Sequence, residues 1–103
     1  MVMPRAPIFL VDFNELVEPN VVLLSQTDRR EDQSGRMFAL AEGMKVLVSE
    51  VDLNERGERD DLIAAGTVVR NAAGGWTAAA RWSCLIDSRG VRHRSEGLHL
   101  DDL

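Results

Sequence analysis

The fold is decided by one stretch of twelve residues, WTAAARWSCLID, which occupies positions 76–87. Large or apolar residues recur there at every second position, at Trp76, Ala78, Ala80, Trp82, Cys84 and Ile86. Alternation with a period of two is typical of a strand, because successive side chains point to opposite faces. A helix would scatter the two tryptophans and Ile86 around its surface, so the period outweighs the helix propensity of the three alanines. The stretch predicts a strand with one buried face.

Other extended segments precede this strand. Residues 65–71 read as a strand, and residues 72–75 supply a turn that ends in two glycines, which predicts a hairpin. Four more segments have strand character, namely residues 8–11, 21–27, 36–41 and 44–51. We expect the second and third of these to form a hairpin with a long polar tip at residues 28–35. Asp12 and Glu15 have capping-box spacing for one helical turn that Pro19 ends near Val17.

A β-turn follows the decisive stretch. Residues 87–90 read Asp-Ser-Arg-Gly, with Asp at the first and Gly at the fourth position of a type I turn. If this turn closes a two-residue hairpin, Val91 lies opposite Ile86 and His93 lies opposite Cys84. The sequence therefore predicts that the cysteine and the histidine share the face that carries Trp82.

These elements bound the fold class. A chain of 103 residues and 11.4 kDa suffices for one domain, which we assign to residues 8–103 after a flexible lead-in at residues 1–7. Short strands joined by turns predict an all-β fold: a small, strongly bent antiparallel sheet or partly open barrel. An SH3-like barrel is the first choice, and an OB-like barrel or a small β-sandwich are the alternatives.

Composition narrows the classes of partner and compartment. The net charge of -5 and the pI near 4.9 repel phosphate backbones, so nucleic acid is a disfavoured partner. The apolar runs are too short to span a bilayer. A single cysteine fits a reducing compartment, so we expect a cytoplasmic protein. The motifs of phosphate-binding loops, hydrolase nucleophile elbows and zinc proteases are missing from the sequence, and no cofactor is predicted.

An acidic segment resembles the start of a calcium loop. Asp52, Asn54 and Asp60 stand at positions one, three and nine of such a loop, with Gly57 at the turn position six. The pattern fails at positions five and twelve, where Arg56 and Ile63 replace oxygen ligands. We retain Asp52, Asn54 and Asp60 as candidate metal ligands, beside the alternative of a plain acidic loop.

Cys84 and His93 are the only pair that suggests a nucleophile with its base. A histidine within hydrogen-bond reach activates a thiol, and His99 would add a third ligand for zinc. Both predicted positions lie on an apolar face, however, where a thiol has little thiolate character. A buried cysteine beside a partly buried histidine is the competing interpretation.

Two further groups are candidate binding residues. Trp76 stands directly after Gly74 and Gly75 at a predicted hairpin mouth, where it would serve as an exposed anchor. Arg89, Arg92 and Arg94 form the one local basic group and would carry RNA binding of the kind known for small barrels.

The sequence therefore favours a non-catalytic module that binds another protein, or a second copy of itself, through a sheet edge or the Trp76 hairpin. A small metal protein or thiol enzyme that uses Cys84, His93 and His99 is the first alternative, and an RNA-binding barrel is the second.

Overall fold

The computed structural model describes residues 6–71 and 80–96, and these residues form an all-β fold. The strands are β1 (Ile8–Leu10), β2 (Leu16–Glu18), β3 (Val21–Ser25), β4 (Arg29–Glu31), β5 (Met37–Ala39), β6 (Lys45–Glu50), β7 (Leu62–Arg70), β8 (Trp82–Ile86) and β9 (Arg92–His93). Short 3₁₀ turns span Phe13–Glu15 and Arg94–Glu96. Within the described ranges no helix is long and apolar enough to cross a membrane. The all-β prediction is confirmed.

Most of the strands form one open, mixed sheet. Its order is β1-β6-β7-β8-β3-β2, with β9 paired to β7, while β4 and β5 form a separate two-stranded sheet. β1 runs parallel to β6, whereas the other pairs are antiparallel. The prediction of a purely antiparallel sheet is therefore wrong, and the sheet does not close into a barrel. A parallel pair needs a long crossover, which here includes β2 and β3 at the far edge of the sheet.

The first 3₁₀ turn has the predicted cap. The Asp12 side chain accepts a hydrogen bond from the amide of Asn14 at 2.8 Å, and the turn ends at Glu15, before the chain enters β2. Of the predicted lead-in, residues 1–5 lie outside the described residues. Pro7 is buried, and its carbonyl accepts a hydrogen bond from the Leu47 amide at 2.9 Å.

β8 does not form the predicted hairpin with the segment that follows it. The turn itself is present, since the Gly90 amide donates to the Asp87 carbonyl at 3.0 Å. β9 nevertheless pairs with β7, where His93 lies opposite Leu62. The reason is that β3 occupies the outer edge of β8, so the chain leaves β7 at Asp87 and rejoins the same edge of β7 in β9.

The predicted pairing of Cys84 with His93 is therefore wrong. Cys84 lies between Val22 of β3 and Val68 of β7, whereas His93 lies beyond the Asp87 turn, at the other end of β7.

The predicted hairpin between residues 21–27 and 36–41 is also wrong. β3 pairs with β2 and β8, and β5 pairs with β4, which falls inside the predicted polar tip. Asp32 explains the tighter turn, because its Oδ1 atom accepts hydrogen bonds from the amides of Ser34 and Arg36, both at 3.0 Å. Gly35 completes the turn with a φ of 90°, a conformation that favours glycine.

The main core lies on one face of the sheet. Trp82, Cys84 and Ile86 are each at most 5% exposed, which confirms the predicted parity of this strand within the described residues. Their neighbours in the core are Phe9, Val22, Leu24, Leu40, Val46, Val48, Ala64 and Val68. Part of this face is covered by the β4–β5 hairpin, where Phe38 packs edge-on against Phe9 at 6.1 Å between ring centroids.

Gly66 allows β7 and β8 to approach closely. A Cβ atom there would lie 2.5 Å from both the Sγ atom of Cys84 and the carbonyl oxygen of Leu85. Because the carbonyl belongs to the backbone, the clash could be relieved only by moving a strand.

We predict that Gly66→Ala lowers the free energy of unfolding by about 1–3 kcal/mol or more, as expected of overpacking between paired strands. Chemical denaturation of the variant measures the loss. Gly57→Ala is the matched control, because a Cβ at Gly57 meets no atom within 4 Å and only its φ of 78° opposes the substitution. A loss below about 1 kcal/mol in Gly66→Ala would contradict the clash.

Candidate functional site

Hydrogen bonds join the acidic segment after β6 to the segment that contains β9. Asp52 Oδ2 lies 2.8 Å from His93 Nε2. Asp60 accepts two hydrogen bonds from Ser95, one from its amide at 3.1 Å and one from its hydroxyl at 2.6 Å. We term these four residues the clasp. It joins the acidic loop to the segment that contains Arg92 and Arg94.

A polar cavity of about 390 Å³ adjoins the clasp. It is lined by Gln33, Arg59, Asp60, Asp61 and Arg94. Asp61 is buried at 8% exposure, and Arg59 binds its two carboxylate oxygens at 2.9 and 3.2 Å. The backbone of Asp61 also accepts a hydrogen bond from the Arg94 amide at 2.9 Å. Arg59 therefore balances the one buried carboxylate of this cavity.

Hydrogen bonds favour the ionised form of the three aspartates at this site. The bond from His93 lowers the pKa of Asp52, and the bond from the Ser95 hydroxyl lowers the pKa of Asp60. Arg59 lowers the pKa of Asp61 against the opposing effect of its burial. The hydroxyl of Ser95 donates its hydrogen bond to Asp60.

The candidate calcium ligands each have a separate protein partner. Asn54 Oδ1 accepts hydrogen bonds from the amides of Arg56 and Glu58, both at 2.9 Å, and so closes the loop tip. Asp52 and Asp60 face His93 and Ser95 in the clasp. In the part of the chain that the structure describes, no group of three or more His, Cys, Asp or Glu side chains is placed to hold a metal ion.

The three candidate arginines occupy different settings. Arg89 binds the carboxylate of Asp87 at 2.8 and 3.1 Å, and Arg92 donates to the carbonyl of Arg89 at 3.2 Å. Arg94 lines the cavity beside the clasp. Trp76 and His99 lie outside the described residues, so their predicted roles stay predictions.

Cys84 is a core residue. It is fully buried, and desolvation, together with the nearby charge of Asp87, raises the pKa of its thiol to about 12. At neutral pH the thiol is therefore protonated and inert as a nucleophile.

A second candidate site lies on the opposite face of the sheet. Val21 and Leu23 of β3, Leu85 of β8, and Thr67 and Val69 of β7 are cross-strand neighbours there, and all are partly or largely exposed. We term these five residues the open face. Leu85 is 40% exposed, although it lies in the middle of a strand that is paired on both edges.

A groove crosses one end of this open face. It has a volume of about 180 Å³ and is lined by Val17, Glu18, Val21, Val69, Arg70, Asn71 and Ser83. Ser83 is only 1% exposed, and its hydroxyl has no hydrogen-bond partner among the described residues. We term this feature the Ser83 groove. Sequence reasoning missed it, because alternation assigns Ser83 to the polar side of the strand and carries no sign of its burial.

Comparisons of this chain with protein-family models, with curated proteins and with solved structures find no match. The function is therefore argued from the chemistry of these two sites.

We predict that acid weakens the clasp. The pKa of Asp52 and of Asp60 is lower in the folded chain than the value of about 3.9 for an unfolded aspartate. Their stabilising contribution is thus present above that pH and is lost as the pH falls through the lowered values.

Titration of the unfolding free energy between pH 6 and pH 2 should show a smaller acid loss in Asp52→Asn than in the wild type. Glu42→Gln, at an exposed position, serves as the control and should follow the wild-type curve. Identical slopes for all three proteins would contradict the stabilising contribution of the Asp52 carboxylate.

We also predict that Cys84 resists alkylation in the folded protein. With a pKa of about 12, its thiolate fraction at pH 7 is on the order of a thousandfold below that of a free thiol. Labelling with iodoacetamide should therefore be at least about a thousandfold slower in buffer than in denaturant. Labelling at comparable rates would contradict the burial of Cys84.

Proposed function

We propose that this protein is a non-catalytic module that binds another protein through the open face of its sheet. The observation that carries the proposal is the exposure of Leu85 at the centre of that face, among partly exposed Val21, Leu23 and Val69. Exposed apolar side chains that adjoin one another across strands are a common feature of interaction sites.

The sheet edges supply less binding surface than the face. The outer side of β1 is occupied, because the Gln33 amide donates to the Ile8 carbonyl at 2.8 Å and the Arg30 guanidinium donates to the carbonyl of Leu10. The other edge, β2, has three residues and an irregular register, and Pro19 follows it directly. Short, bulged edges next to proline resist the addition of a further strand. We therefore assign binding to the face, with Trp76 retained as a proposed additional anchor.

Charge argues for a protein and against nucleic acid as the partner. The chain has a net charge of -5, and Arg89, one of the three arginines proposed for RNA binding, is held by Asp87. The SH3-like assignment stays a prediction. The proposed binding does not depend on this assignment, because the open face is a feature of the sheet itself.

A charge placed on the open face should abolish binding. With tagged protein as bait in lysate of the native host, we expect Leu85→Glu to reduce capture of the partner at least about tenfold, which corresponds to about 1.4 kcal/mol. Leu53→Glu is the matched control, because Leu53 is 59% exposed in the acidic loop, away from this face.

Capture by the wild type and by Leu53→Glu, but not by Leu85→Glu, supports the proposal, provided that all three proteins show the same thermal melt. Equal capture by Leu85→Glu, or capture of no protein by the wild type, would overturn it.

A further inference from the structure

We draw no further inference here: the strongest candidate, the Ser83 groove at one end of the open face, buries its serine hydroxyl beyond the reach of a ligand, and nothing in the structure shows what occupies it.

Discussion

The whole sheet depends on the close approach of β7 and β8 at Gly66. β7 is the strand that links the two halves of the sheet, with β6 along one edge and β8 and β9 along the other. At Gly66 the backbone of β8 and the Cys84 side chain occupy the space that any side chain would need. This sheet thus requires a glycine at position 66 of β7, its longest strand. The same contact between β7 and β8 buries the side chain of Cys84.

The shared edge of β7 also creates the charged site. Because β3 already pairs with the outer edge of β8, the chain after the Asp87 turn continues along β7 and does not fold back. This course carries His93 and Ser95 to the two ends of the acidic loop, where Asp52 and Asp60 accept their hydrogen bonds. Two segments that are separated along the sequence are therefore joined by hydrogen bonds.

The sequence predicted what is local and missed what depends on distant strands. Alternation predicted the buried parity of Trp82, Cys84 and Ile86, and the turn at residues 87–90 was predicted from its Asp and Gly. Turn chemistry fixes the local backbone conformation, but it does not determine which strand has a free edge. The partner of β9 was therefore predicted wrongly, and the proximity of His93 to Cys84 with it.

The burial of Ser83 could not have been predicted from the alternation of the strand, because it depends on how one small chain covers the two faces of the sheet. The first face holds the main core, and on the second face Leu47, Ile63 and Ala65 are also buried, with exposures of 1%, 1% and 2%. A domain of about 100 residues has too little chain to cover both faces of a broad sheet completely. The part left over is the end where β3 and β8 meet, and there the apolar side chains remain exposed around a buried hydroxyl. Folding alone gains nothing from the exposure of these apolar side chains, and for this reason we propose that the partner binds at this end of the sheet and not at the clasp, whose polar groups already satisfy one another.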